Sequence, residues 1–270
     1  MSTIPILAKT LQELWGQVQQ LALELQSGIH IDWPSLTARL EFLDESSLIE
    51  AMDRLIPGWR KIAIIKNGVT AKHTILVLAT CMNLSEYKQA APQTQREIEW
   101  AAILHDLDKD ISGGKDPAHP FRSAAVAAKA MLKLGFDVQP NIGLNDFEDW
   151  ATLMTSSLHE INGLMVHDHA HLAEIVAGIH SCWGKNTSAS RILKAVLFHQ
   201  SLPTLKDWTN PVLLSDDELR MSLSLSDMEV LGPILIADSD SWNIFDEPRL
   251  AYLDELRENI SETRRRINNR

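Results

Sequence analysis

Apolar residues recur every three or four positions along most of this chain, which is the spacing of residues on one face of an α-helix. In residues 4–27 they alternate between steps of four and three, at Leu7, Leu11, Leu14, Val18, Leu21 and Leu25. This stretch is therefore predicted to form an amphipathic helix with one buried face. A break is expected at Ser27-Gly28, where the pattern stops at a glycine.

Later segments show the same helical spacing. Thr70 to Leu84 is apolar nearly all round, which predicts a buried helix. Thr94, with Glu97 three residues later, predicts a capping box at the start of a helix that runs to Leu107. Further helices are expected at 35–42, 47–55, 119–135, 144–158, 168–183, 187–201, 232–242 and 248–266. Strand-like sequence is limited to a short piece at 61–65, so the predicted fold class is all-α.

Composition and charge narrow the classes of function. Hydrophobic residues make up 45% of the 270 residues, which is enough for a substantial core. The net charge of -11 would repel a phosphate backbone, so nucleic-acid binding is not expected. A small phosphorylated substrate stays open, because a bound metal ion can dominate the local field. The one basic cluster, Arg264-Arg265-Arg266, is interpreted as a solvated helix face.

Cysteine usage and hydropathy bear on the compartment. Cys81 and Cys182 lie in apolar helical stretches and form no CxxC pair, as expected for buried thiols in a reducing cytosol. Residues 1–10 lack the pattern of a secretory signal, and we expect no apolar stretch long enough to span a membrane. The expectation is a cytoplasmic protein without a membrane partner.

Ligand-type residues lie inside the apolar helices. His73 shares a helix face with Leu76 and Val77, His105-Asp106 ends the stretch IEWAAILHD, and Asp238 follows LGPILIA. A buried histidine or aspartate without a partner is costly, so each needs a hydrogen bond or a metal. Spacing alone leaves two interpretations open: separately satisfied core residues, or four ligands converging on one divalent ion.

The order of these residues resembles the HD superfamily of metal-dependent phosphohydrolases, whose motif is a histidine, a His-Asp pair and a distant aspartate on a helical core. AAILHDLDK resembles the family's apolar helix ending in His-Asp, AHPFRSAAVAAKAML its helix opening with His-Pro, and PILIADSDSWN its apolar run ending in Ala-Asp. The resemblance covers residues 68–245 as an HD-type core. Residues 1–67 and 246–270 are then an N-terminal helical extension and a C-terminal helix.

The resemblance implies a set of metal ligands. His73, His105, Asp106 and Asp238 would bind a first metal, and in two-metal members the aspartate of the pair bridges both ions. His119 matches the His-Pro position, and both His180 and His199 resemble ligand histidines at helix ends, with no means of choosing between them. The chain lacks the adjacent histidines and the GYP triplet of the HD-GYP branch, which argues against a role with cyclic di-GMP.

The same resemblance assigns residues to the substrate. Lys109 matches the lysine of an HDxxK pattern, which would point at a substrate phosphate and stabilise charge that develops there. Arg122, about one turn after His119, could bind a phosphate in a bidentate manner, and Asp110 is a weaker candidate. For Lys109 and Arg122, an exposed surface position is the alternative. A second doublet, His167-Asp168, is interpreted as a helix start and not as a metal site.

Three functions follow from this pattern. The first is a metal-dependent phosphohydrolase that acts on a phosphomonoester or phosphodiester, expected to be a nucleotide, with Asp106 and Lys109 as catalytic residues and one or two divalent ions (Mn, Fe, Ni, Co, Mg or Zn). The second is a di-iron oxygenase of the same helical superfamily. The third is a non-catalytic regulatory or interaction module, whose amphipathic extensions would pair with a partner or with a second copy in a homodimer.

Overall fold

The structure of the protein is a computed structural model, which describes residues 4–29, 31–111, 116–139, 144–156, 158–161, 164–167, 171–200, 215–242 and 250–269. Within these ranges the chain is predominantly helical, which confirms the predicted all-α class. The buried apolar side chains form a hydrophobic cluster that extends from the N-terminal helices to the last helix.

The N-terminal part consists of short helices. In chain order these are α1 (Leu7–Thr10), α2 (Gln12–Gln26), α3 (Trp33–Arg39), a 3-10 helix (Glu41–Asp44), α4 (Ser46–Leu55), α5 (Trp59–Ile64) and a second 3-10 helix (Ile65–Gly68). The predicted amphipathic helix is present but is divided at Leu11, whose backbone leaves the helical region. The predicted short strand at 61–65 is wrong, because this segment continues the helical turns of α5.

A left-handed turn joins this part to the next helix. Lys66, Asn67 and Gly68 have consecutive φ angles of 47°, 59° and 71°. At Gly68 a side chain would meet Ala63, since an ideal Cβ would lie 2.8 Å from the Ala63 carbonyl oxygen. The buried Lys72 ammonium donates to the Asn67 carbonyl at 2.8 Å and holds the turn in place.

The remaining helices follow in the order expected from sequence, with different ends. They are α6 (Val69–Asn83), α7 (Ser85–Gln89), α8 (Pro92–Leu104), α9 (His119–Lys133), α10 (Leu144–Ser156), α11 (Leu172–Trp183), α12 (Ser188–Phe198), α13 (Asp216–Ser222), α14 (Leu225–Ser241) and α15 (Leu250–Asn268). Between α10 and α11 an antiparallel hairpin pairs β1 (Leu158–Ile161) with β2 (Leu164–His167). This hairpin was not expected from the sequence.

Two helix starts differ from the predictions. Helix α8 begins at Pro92, because proline suits the first turn, and Glu97 is not part of a capping box. Helix α14 begins at Leu225 and not at Gly232, because Ser224 and Asp227 form a reciprocal capping box. Pro233 therefore lies inside the helix.

Four helices, α6, α8, α12 and α14, form the centre of the molecule, and a fifth, α9, packs beside them. Helices α8 and α14 contact each other, and each also contacts α6 and α12, while α9 packs against α12. Each of these five helices carries a residue of the predicted ligand set inside it or directly after its last residue. The packing of the core therefore determines which of the predicted ligands meet.

One helical stretch, Trp59–Asn83, is long and apolar enough by composition to cross a membrane, against the expectation from sequence. It spans α5, the left-handed turn and α6, and 72% of its most apolar window is buried inside the protein. This burial is what the core helix of a compact protein shows, so the stretch is weak evidence for a membrane.

Candidate metal centre

Six predicted ligands converge on one buried site. His73 lies in α6, His105 and Asp106 directly follow α8, His119 opens α9, His199 directly follows α12, and Asp238 lies near the end of α14. The four histidines and Asp106 are at most 1% exposed. Only the Asp238 carboxylate retains some access to solvent, with its side chain 13% exposed.

The first group of ligand atoms belongs to His73, His105 and Asp106, which lie within 4.8 Å of one another. Asp106 Oδ2 is 3.4 Å from His105 Nε2 and 3.9 Å from His73 Nε2. Asp238 faces the same two rings, with its Oδ1 2.8 Å from His73 Nε2 and 3.8 Å from His105 Nε2. Imidazole nitrogens and carboxylate oxygens at such distances are a typical ligand set for a divalent metal.

The second group shares Asp106 with the first. Asp106 Oδ1 lies 2.8 Å from His119 Nε2 and 3.4 Å from His199 Nε2, and the two Nε2 atoms are 2.9 Å apart. These three residues also lie within the spacing that one ion requires. Asp106 therefore directs one carboxylate oxygen towards each group.

Backbone carbonyls set the orientation of three of the rings. The Nδ1 atoms of His105, His119 and His199 lie 2.7, 2.5 and 2.7 Å from the carbonyl oxygens three residues earlier. With the proton on Nδ1 donated to the carbonyl, each Nε2 presents its lone pair to the centre of the site. This is the tautomer that metal ligation through Nε2 requires.

Two polar atoms at the centre have no hydrogen-bond partner among the described residues, namely His105 Nε2 and Asp106 Oδ1. Burying such atoms unsatisfied costs roughly 1–3 kcal/mol each. A cation between the lone pairs would satisfy both atoms, so the residues that are present fit a metal ion.

The pKa values of several groups in the site are shifted towards the protonation states that bind a metal ion. Burial raises the pKa of Asp106, but the neighbouring His105, Lys109 and His119 outweigh it and hold the pKa well below its usual range. Burial lowers the pKa of His119 to about 4, against the opposing effect of Asp106, so this ring is neutral at pH 7. Burial also lowers the pKa of His73, although Asp238 partly offsets it.

Two other groups in the site have raised pKa values. Burial lowers the pKa of His105, but the adjacent Asp106 reverses the effect and leaves the pKa above its ordinary value. Lys109 behaves in the same way, with burial outweighed by Asp106 and Asp238. The ammonium of Lys109 therefore remains charged within the site.

Lys109 is buried, so the alternative of an exposed loop lysine is wrong. It is 8% exposed, and its Nζ lies 2.7 Å from Asp106 Oδ2. The same Nζ lies 5.3 Å from the centroid of the Trp242 ring, within cation–π range. Trp242, whose ring is 4.6 Å from that of His73, was not among the residues expected at the site. Its position one turn after Asp238 was the available signal.

The structure separates the two histidines that the sequence left undecided. His199 joins the second group, whereas His180 Nε2 lies 3.5 Å from Lys194 Nζ, an ammonium that is paired with Asp227. The expected place of His180 in the ligand set is therefore corrected. It projects from α11, and among the described residues it belongs to neither group of ligands.

The structure places Arg122 beside the site and not in it. Its guanidinium bonds the Asp116 carboxylate and the Asp108 carbonyl, at 2.5 and 3.1 Å. The expectation that it binds substrate phosphate thus meets an arginine already engaged by two aspartates. Asp110 contributes its backbone N–H to Asp116, at 2.8 Å.

Of the second His-Asp doublet, the structure describes His167 alone. The backbone of His167 lies in β2, where it pairs with Leu158 of β1. The predicted helix start at Asp168 lies outside the described residues, and α11 begins at Leu172. No described residue near this hairpin joins the two groups of metal ligands.

The fold and the site together define an all-α protein with a buried cluster of histidine and aspartate that could hold a metal ion. Compared with protein-family models, curated proteins and solved structures, the chain matches none of them. A functional assignment therefore depends on the residues and the geometry described above.

Proposed function

We propose that this protein is a metal-dependent phosphohydrolase of the HD type. The observation that carries the proposal is the position of Asp106, which lies between two groups of buried ligands and belongs to both. The resemblance in sequence proposed this role for Asp106, and the convergence of His73, His119 and Asp238 around it supports the proposal.

Two sets of residues would each hold one metal ion. His73, His105, Asp106 and Asp238 would hold one divalent ion, and Asp106, His119 and His199 a second. Such ions supply an activated water and a Lewis acid for phosphoryl transfer. The helices that surround the groups exclude water from the ligand side, which strengthens every electrostatic interaction inside the site.

Lys109 supplies a fixed positive charge. Its ammonium is held between Asp106 and the Trp242 ring, and its pKa keeps it protonated. A cation at this place would stabilise negative charge that develops on a phosphoryl group. The half-buried ring of Trp242 beside it adds an apolar surface, which agrees with a nucleotide as the substrate.

The test compares the wild-type protein with Asp106→Asn, which keeps the shape of the side chain and removes its charge. The wild type is expected to bind Mn(II) or Co(II) and to release phosphate from one or more members of a nucleotide panel. Asp106→Asn is expected to do neither while its circular dichroism stays helical. Asp254→Asn is the matched control, because Asp254 is 76% exposed on α15 and should leave both properties unchanged.

A metal-replete and active Asp106→Asn protein would contradict the proposal. A wild-type protein that binds metal without hydrolysing any phosphate ester would leave the site but remove the activity.

A di-iron oxygenase is the second candidate. The four histidines and two carboxylates of the site, with Asp106 shared between the two groups, also suit iron. Purified protein that contains iron and consumes oxygen would support this function. Phosphate release under anaerobic conditions would support the hydrolase.

A non-catalytic module is the third candidate. Elemental analysis of protein purified without added metal, followed by titration with Mn(II) and Fe(II), distinguishes it from both enzymes. We place the proposed enzyme in the cytoplasm with a small phosphorylated substrate, in agreement with the two buried free thiols of Cys81 and Cys182.

A further inference from the structure

The backbone carbonyls that orient His105, His119 and His199 are not fixed in the same way. The carbonyls that accept from His105 and His199 belong to Ala102 and Val196, which lie inside α8 and α12 and are fixed by the helices. The carbonyl that accepts from His119 belongs to Asp116, which precedes α9 and lies in no helix. The His119 backbone N–H donates to this carbonyl at 3.3 Å, and its position is otherwise set by contacts outside any helix.

The side chain of Asp116 supplies those contacts. Its Oδ2 accepts from the backbone N–H of Asp110 at 2.8 Å and from Arg122 Nη2 at 2.5 Å. The Asp116 carboxylate is 9% exposed and the Arg122 side chain 21% exposed, so the pair is largely shielded from solvent. Charge-assisted hydrogen bonds in such surroundings are stronger and more geometrically specific than surface pairs.

Arg122 also contacts the segment that follows the His105-Asp106 pair. Its Nη2 donates to the Asp108 carbonyl at 3.1 Å, and its Nε lies 3.3 Å from Asp108 Oδ2. Lys61 of α5 forms a second ion pair with the Asp108 carboxylate. Asp108 is two residues after Asp106, so the network connects the segment after the His-Asp pair with the segment before His119.

We propose that Arg122 and Asp116 are positioning residues for the second group of metal ligands. They hold the Asp116 carbonyl against His119 Nδ1–H, which keeps the His119 Nε2 lone pair directed at Asp106. The inference rests on the proposed metal centre and assigns Arg122 to His119, in place of the substrate phosphate expected from sequence.

This role makes the two groups of ligands separable. Neither histidine of the first group takes its orientation from Asp116, since His105 is anchored in α8 and His73 Nε2 faces Asp238. Loss of Arg122 should therefore weaken the second metal and spare the first. Loss of a hydrogen bond that orients a metal ligand typically lowers metal affinity by about ten- to a hundredfold.

The experiment titrates metal-free protein with Co(II) and follows the visible absorption of the bound ion. The wild type is expected to bind two ions in resolvable steps. In Arg122→Gln one of the two steps should lose about tenfold or more in affinity, while the other step is unchanged. Arg122→Lys keeps a cation near Asp116 and should restore most of the loss, and Arg257→Gln on the exposed face of α15 is the matched control.

A second readout reports His119 directly. Nitrogen-15 spectra of the imidazole rings identify the tautomer of each histidine, and only that of His119 should change in Arg122→Gln. Asp116→Asn provides an independent variant of the same contact and should show the same selective loss. If Arg122→Gln does not fold, Asp116→Asn and Arg122→Lys decide the question.

The outcomes separate this inference from the proposed function. A wild-type protein that binds no Co(II) would overturn both. A wild-type protein that binds a single ion, or Arg122 and Asp116 variants whose two steps are unchanged or weakened alike, would overturn the positioning role and leave a metal centre in place.

Discussion

Helices α8 and α12 lie side by side, and the polar groups at their two ends differ in one respect. Near their starts, the buried Glu97 carboxylate accepts from Ser188 at 2.5 Å, from Gln93 at 3.1 Å and from Arg191 Nε at 2.7 Å. After their last turns, Asp106 meets His199 at 3.4 Å. Both carboxylates are fully buried.

The difference is whether the protein itself completes the interaction. At the Glu97 end an anion meets a cation and hydroxyl and amide donors, so both carboxylate oxygens are satisfied. At the Asp106 end Lys109 Nζ pairs with Asp106 Oδ2, but Asp106 Oδ1 and His105 Nε2 have no hydrogen-bond partner among the described residues. The same pair of helices thus ends in a structural ion pair and in a set of atoms arranged for an added cation.

The largest expected effect is a loss of protein stability when the ion pair at the Glu97 end is broken. Arg191→Ala leaves the Glu97 carboxylate buried without its cation, which should cost about 3–5 kcal/mol of unfolding free energy. Urea denaturation of the metal-free protein measures this loss, and metal affinity should stay unchanged. A variant that loses metal affinity along with stability would contradict the division between the two ends.

The next effect is stabilisation by metal at the Asp106 end. A ligand that binds only the folded protein at a hundredfold over its dissociation constant stabilises it by about 2.7 kcal/mol. Thermal unfolding with Co(II) or Mn(II) should show this increase in the wild type and in Arg191→Ala. Asp106→Asn should show none; an equal increase in this variant would place the metal elsewhere.

The smallest effect concerns Glu99, a second buried glutamate on α8. Burial raises the pKa of Glu99, partly offset by the hydrogen bond from Tyr87 and by Arg96. The protonated form is favoured in the folded state, so its stabilising contribution is complete below the ordinary pKa of 4.5 and is lost as the pH rises through the folded value. Glu99→Gln should therefore gain stability over the wild type between pH 4 and pH 8.

Thermal unfolding of both proteins across this pH range measures the difference. Glu97→Gln serves as the contrast, because it removes the charge that Arg191 requires and should lose stability at neutral pH. A Glu99→Gln protein whose stability difference from the wild type does not change with pH would show that the carboxylate is ionised without cost.

The local pattern of the chain predicted the fold class and singled out four candidate ligands, and the resemblance to the HD superfamily combined them into a metal site. Helical spacing is a property of neighbouring residues, so the all-α class follows from it directly. His73, His105, Asp106 and Asp238 were recognisable because each polar residue interrupts an apolar face. His119 required the additional resemblance of its His-Pro context.

Contacts between distant segments decided the rest. His180 and His199 have similar local sequences, and only the packing of α12 beside α8 brings His199 to Asp106 while α11 turns His180 towards Lys194. Glu97 fits a capping box by spacing, yet Arg191, 94 residues away, determines its role.

Arg122 is a further residue whose partners local sequence did not predict. The sequence alone determined that an arginine lies one turn after His119. Its bonds to Asp116 and Asp108 depend on how the surrounding segments pack together. Local periodicity specifies which face of a helix is buried, whereas the partner of a buried charge depends on which helices meet, and that is a property of the whole packed core.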